Sequence, residues 1–195
     1  MSNFDGHLRR KRGRPKAKPC GFVDGYFGFL VLSQGQVAKV SLHRFAYLNQ
    51  FKWHAWWCKY TKSFYALRWV MLPSGKRVDV KLHREILGLG YGDKREGDHI
   101  NHDTLDNTDD NLRIPPTKSH QNANQRIRSD NVSGYKGVSF EKRNQKWYAR
   151  IQINGKEKFL GYFDEAKEAG RAYEKYAKEF LGEYACIDRR MKNAA

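Results

Sequence analysis

The chain has 195 residues, with 37 Lys and Arg against 21 Asp and Glu, for a formal net charge of +16. With 39% apolar and 14% aromatic residues it carries too much hydrophobic material for full disorder. It has no run of about 18 apolar residues to span a membrane, and its basic N-terminus lacks the apolar stretch of a secretory signal. Cys20, Cys58 and Cys186 lie too far apart to suggest a zinc site or a disulfide framework, which fits a reducing compartment. So large a positive excess draws a polyanion, and nucleic acid is the expected partner.

The charge is not spread evenly. Residues 1–20 sum to +6, residues 21–95 to +8 and residues 126–195 to +6. Residues 96–122 sum to −4, through Glu96, Asp98, Asp103, Asp106, Asp109 and Asp110 against Arg113 and Lys118. Such a cluster repels phosphate unless a divalent cation inverts the local field; the plainer alternative is an acidic turn facing solvent.

Residues 1–20 read as a disordered basic arm. Within it Arg12-Gly13-Arg14-Pro15 resembles the core of AT-hook segments, which would lay Arg12 and Arg14 into a narrow A·T minor groove; the competing reading is a tail that binds phosphates without sequence preference. Residues 21–77 form a β-rich region, with strand-like runs at 26–32 and 65–71 and a hairpin turn at Pro73-Ser74-Gly75-Lys76. Phe51, Trp53, Trp56 and Trp57 could stack on bases, but are read as the core of this small region, where large aromatics dominate. A short helix follows over 82–89, stopped by Gly88, Gly90 and Gly92, and its His83 is read as structural.

The acidic segment contains Asp98-His99, then Asn111, then His120. A metal-dependent nuclease needs this inventory: oxygen ligands for a hard cation, a neutral imidazole to take a proton from water, and an Asn to hold a turn. His120 falls on a helix expected over 117–124, after Pro115-Pro116. The stretch from Gly97-Asp98-His99-Ile100-Asn101 through Leu105-Asp106-Asn107 to Asn111-Leu112-Arg113 resembles the HNH endonucleases of the homing type found in phages and mobile introns. That resemblance implies a ββα-metal (His-Me finger) centre over 78–124. His99 would be its general base, Asp98 and His120 (or Asn122) its metal ligands, and Asn111 its structural residue. It further implies Mg²⁺ or Mn²⁺ as cofactor, and a cytoplasmic protein of a bacterial or phage-infected host.

Residues 125–132 are polar and read as a linker. Three short strands follow, over 135–140, 146–153 and 157–160, the last two joined by the hairpin pair Asn154-Gly155. A helix is expected from Asp164 as N-cap to Leu181, with Gly182 ending it. The fold class is therefore α+β: a small β-rich N-terminal region, the nuclease centre, and a three-stranded antiparallel sheet packed on one helix over 133–187, with residues 188–195 a tail. Tyr135-Lys136-Gly137-Val138, Lys146-Trp147-Tyr148-Ala149-Arg150-Ile151, Phe159-Leu160-Gly161-Tyr162-Phe163-Asp164 and Ala172-Tyr173 resemble the Apetala-two (ethylene-response-factor) DNA-binding domain. In that family the sheet lies in the major groove. The resemblance implies DNA contacts from Lys136, Ser139, Arg143, Arg150, Gln152 and Phe159; Lys146 and Tyr148 join them because they alternate onto the same outer face. The plant domains have arginines at the positions of Ser139 and Glu157, glutamate at Arg150 and tryptophan at Arg143, so docking mode is carried over and sequence preference is not.

These readings converge on a site-directed endonuclease acting on double-stranded DNA as a monomer or homodimer. The rivals are a non-catalytic DNA-binding regulator and a basic RNA-binding protein.

Overall fold

The computed structural model describes residues 21–187 apart from Ser129. The arm with Arg12 and Arg14, and the tail, lie outside the described residues.

The chain begins with β1 (Phe22–Val23), β2 (Phe27–Val31) and β3 (Val37–Ser41), followed by α1 (Leu42–Leu48). A tight turn with Gln34 at φ +59° and Gly35 at +67° joins β2 to β3, the twist that suits a hairpin. Leu30, Ala38 and Val40 alternate onto one side of this pair and are fully buried. Then come β4 (His54–Cys58), β5 (Ser63–Met71) and β6 (Arg77–Lys81), an antiparallel meander, and α2 (Leu82–Ile86). The hairpin turn at 73–76 is where the sequence places it; α2 is shorter than expected, and β3, α1 and β4 were not expected.

Three two-residue strands follow: β7 (Asp98–His99), β8 (Asp106–Asn107) and β9 (Leu112–Arg113), then α3 (Lys118–Ala123). β7 and β9 form an antiparallel ribbon, while β8 adds in parallel to the edge of β3. A single apolar cluster including Leu30, Val40, Leu48, Trp53, Leu82 and Leu112 draws on β2 to β5, on α1 and α2, and on β9. The N-terminal region and the segment 98–113 thus share a core. Trp53 is 3% exposed, but Trp56 and Trp57 are 42% and 48% exposed and lie outside that core, contrary to the reading from sequence.

The second core belongs to β10 (Val138–Glu141), β11 (Lys146–Ile153), β12 (Lys156–Phe163) and α4 (Ala166–Leu181). Ala149 and Ile151 pack on Ala169, Tyr173, Ala177 and Leu181. Asn154 and Gly155 have φ of +49° and +76°, as a type I′ turn requires. A bulge at Ala149/Arg150 leaves Leu160 without a partner opposite and lets β12 run on to Phe163, beyond the expected end at 160. The N-cap of α4 is Glu165 rather than Asp164. α3 joins this core as well: Ala123 packs in it, Ser119 Oγ accepts from Asn154 N at 2.7 Å, and Ala123 O accepts from Cys186 N at 3.0 Å. Among the described residues no helix is long and apolar enough to cross a membrane.

Gly137 sits at φ +69° where a Cβ would run into the Tyr173 ring and the Arg150 carbonyl. Both its conformation and its lack of a side chain are needed there. Gly137→Ala is expected to destabilise the protein by about 2–4 kcal/mol in urea unfolding; a loss below about 0.5 kcal/mol would contradict this packing.

Candidate active site

The ribbon β7–β9 is held by an asparagine. Asn111 Nδ2 donates to Asp106 O at 2.7 Å, its Oδ1 accepts from Asn101 N at 2.9 Å, and its own carbonyl accepts from Ile100 N at 2.9 Å. Two carboxylates of the acidic cluster are spent on the same loop, and a third is paired outside it. Asp106 accepts from Thr108 and Asn101, and Asp103 accepts from Leu105 N. Arg44, bonded to Asp109 at 2.6 Å, holds that carboxyl below its usual range. Asp98 differs. Its Oδ2 takes Arg113 Nε at 3.2 Å and Asn124 Nδ2 at 2.9 Å, while Oδ1 takes no hydrogen bond among the described residues.

His99 follows Asp98 and is buried. Asn107 Nδ2 donates to Thr104 O at 3.4 Å, which turns its Oδ1 toward His99 Nε2 at 3.3 Å. A neutral ring so placed carries its proton on Nε2 and leaves the Nδ1 lone pair free. Burial holds the His99 imidazole below its ordinary value, against the opposing pull of the Asn107 bond and the nearby carboxylates of Asp98, Asp103 and Asp106. Asn107 is fixed because β8 is pinned to β3.

His83, read from sequence as structural, stands against this site, with its ring centroid 4.9 Å from that of His99 and Tyr65 edging both. Gly97 makes the approach possible, since a Cβ there would meet His83 Cδ2 at 2.9 Å. Burial, with the His99, Lys81 and Arg84 charges, drives the His83 pKa down to about 2.

Asp98, His99, His83, His102 and Asn124 line a groove of about 650 Å³. Neither His120 nor Asn122 lines it. The His120 ring bonds Thr117 Oγ1 at 2.7 Å and packs edge-on to Tyr184, and Asn122 Oδ1 accepts from Gln125. The residue of α3 that reaches Asp98 is Asn124, at the helix C-cap, whose Nδ2 also bonds His99 O at 3.0 Å. Its Oδ1 is bonded by His102 Nε2 at 3.1 Å. No group of three or more His, Cys, Asp or Glu that could hold a metal occurs among the described residues. The donor set on hand is the free Asp98 Oδ1, the Asn124 Oδ1 through the lone pair that the His102 bond leaves open, and the exposed Glu96 carboxylate on the groove's lining. That suits a Mg²⁺-like ion, which takes one or two protein oxygens and fills its shell with water and phosphate.

On the C-terminal sheet Ser139, Tyr148 and Tyr162 are in cross-strand register, as are Arg150 with Phe159 and Gln152 with Glu157. Ser139, Arg150, Gln152 and Phe159 are exposed there and Tyr148 is half-buried. Arg143 is exposed in the β10–β11 turn; Lys146 pairs with Asp164 at 3.1 Å and Arg150 with Glu157 at 3.1 Å. Lys136 has a different place: its ammonium donates to the carbonyls of Asn122, Ala123 and Gln125 and so caps the C-terminus of α3.

The unfolded chain protonates His83 near its ordinary 6.5, whereas the folded chain does not until about 2. Falling pH below 6.5 therefore favours unfolding, by about 1.4 kcal/mol per pH unit for a histidine kept neutral. Chemical denaturation at pH 6 and pH 5 should show a loss smaller by about that amount in His83→Leu than in the wild type; equal losses would contradict the burial of a neutral His83.

An uncharacterized HNH endonuclease of Acanthamoeba polyphaga mimivirus is 30% identical over 164 residues, which are 82% of this chain and 79% of that protein. An AP2-like ethylene-responsive transcription factor of Arabidopsis thaliana is 34% identical over 95 residues, 49% of this chain and 19% of the plant protein. An APETALA2-like protein of Oryza sativa is 43% identical over 56 residues, 29% of this chain and 13% of its own length. No family model matches the chain.

Proposed function

The chain belongs to the family of HNH endonucleases, and on that premise we propose that it is a metal-dependent, site-directed endonuclease hydrolysing phosphodiester bonds in double-stranded DNA. The observation that carries this reading is the meeting of Asp98, His99 and Asn124 in one groove, with a neutral imidazole and a free carboxylate oxygen.

His99 is the general base: Nδ1 takes the proton of the attacking water, and the Nε2–H bond to Asn107 keeps the ring aimed and steadies the imidazolium that forms. Asp98 and Asn124 are the residues that would hold Mg²⁺, with Mn²⁺ as its substitute. A bound divalent ion supplies charge stabilisation at the scissile phosphate and the leaving 3′ oxygen. Asn111 keeps the ribbon closed. The sheet β10–β12 docks on the duplex through Ser139, Arg143, Lys146, Tyr148, Arg150, Gln152 and Phe159, supported by the likeness to the plant proteins over this segment. A monomer with one such centre nicks a single strand, and a two-fold dimer breaks both.

His99→Ala should reduce Mg²⁺-dependent cutting of the native genomic DNA by at least about 10³-fold while duplex affinity changes less than about threefold. In the wild type the acid limb of the rate profile should fall below pH 6.5, because burial lowers the His99 pKa from that value. Parallel loss of binding and cutting would sink the role given to His99. Bound but intact DNA under every divalent ion would make the protein a DNA-binding regulator.

A further inference from the structure

The N-terminal meander has an outer face that neither apolar core of the described residues covers. Along it Trp56 stands opposite Tyr65, Trp69 opposite Asp79, and Met71 opposite Arg77. Trp69 is 58% and Met71 63% exposed, and Tyr60 in the β4–β5 turn is 84% exposed. Soluble chains seldom leave such a row of large side chains bare without a use for it.

The rings are interleaved with cations. The Arg77 guanidinium lies 3.4 Å from the Trp69 centroid, and the Lys81 ammonium stands 5.0 Å from Tyr65 and 5.8 Å from Trp56. Lys59 reaches over Tyr60 at 5.2 Å. Residues 54–81 contain Asp79 as their single acid. Of their cations, Arg68 alone is taken up in an ion pair among the described residues, with Glu85 at 2.6 Å on the opposite face. A face of this kind matches a polyanion: ring-stacked cations are pre-aimed at phosphates, and the rings meet the sugars.

This face is continuous with the groove holding Asp98 and His99. Tyr60, Lys62, Tyr65 and Lys81 form one wall of that groove, and Asn124, Gln125 and Arg126 form another. Gln125 and Arg126 also line the next depression, which runs to Arg128, Lys142 and Arg150 on the C-terminal sheet. The groove therefore lies between two basic surfaces.

We propose that the outer face of β4–β5–β6 is a second DNA-binding surface, gripping the duplex on one flank of the scissile phosphate while β10–β12 takes the other. The proposal rests on the endonuclease reading, and its occupant is duplex DNA.

The test is equilibrium binding of the full chain to a fluorescent mixed-sequence duplex of about 40 base pairs, in EDTA, between about 50 and 200 mM KCl. One variant combines Lys59→Ala, Lys62→Ala, Arg77→Ala and Lys81→Ala; a second combines Arg143→Ala and Arg150→Ala. Circular dichroism checks folding and sedimentation checks mass. The first variant should flatten the slope of log affinity against log salt by about three units and weaken binding at least about tenfold at the lowest salt. The second should flatten it independently. An unchanged slope in a folded first variant overturns the proposal, and leaves the endonuclease reading standing if the wild type cuts with Mg²⁺. A wild-type dimer that the first variant dissolves, with duplex affinity unaltered, also overturns it and makes the face a self-association surface. Wild-type protein that neither binds nor cuts any duplex removes the endonuclease reading together with the proposal.

Discussion

The short helix α3 is bonded on two sides. Asn124, at its C-cap, donates to the Asp98 carboxylate and the His99 carbonyl, which belong to the ribbon of the first core. Ser119 and Ala123 of the same helix are bonded to Asn154 and Cys186 of the second, and Lys136 of the second core caps its carbonyls. A six-residue helix has little stability of its own, so its position is set by these two attachments. The consequence is mechanical: the C-terminal sheet and the groove are coupled through α3 rather than through a loose tether. Choice of site and place of cutting would then be linked by packing.

The chemistry of the groove follows from burial more than from charge. An acidic segment in a basic chain suggested a cation site, yet Asp103 and Asp106 are occupied in closing the loop between β7 and β9, and Asp109 is paired with Arg44. Asp98 lies in the groove with Oδ1 free of hydrogen bonds among the described residues. Beside it, burial keeps His99 neutral, and Asn107 sets which nitrogen carries the proton. The same burial acts on His83, whose charged form the His99 imidazole, with ring centroids 4.9 Å apart, disfavours further.

The C-terminal unit was largely legible from sequence. Strict alternation of Trp147, Ala149, Ile151 and Ile153 against Lys146, Tyr148, Arg150 and Gln152 gave β11 its bounds and its faces, and Asn154-Gly155 gave the turn. That Asp98, His99 and Asn111 come together at one ribbon was legible through the motif. Asn124 was not, because spacing along the chain points to His120, while the phase of α3 against the ribbon is fixed by Asn154 and Lys136 of the other core, which bond Ser119 and the helix's last carbonyls. His83 carries no local signal either; its place beside His99 depends on Gly97 letting the chain pass. The exposure of Trp56 and Trp57 was misjudged for a related reason: composition shows that a sheet is aromatic, not how many of its faces another layer covers. Lys136 shows the limit of carrying roles over by position, since its ammonium is held by three carbonyls of 122–125.

The pair proposed to hold the metal beside His99 is Asp98 and Asn124, not His120. It is tested most directly by Mn²⁺ binding, read by paramagnetic resonance, on the DNA-bound His99→Ala chain, where cutting is removed. Adding Asn124→Ala should weaken Mn²⁺ binding at least about tenfold, and adding His120→Ala should leave it unchanged. Loss with His120→Ala and retention with Asn124→Ala would contradict the account.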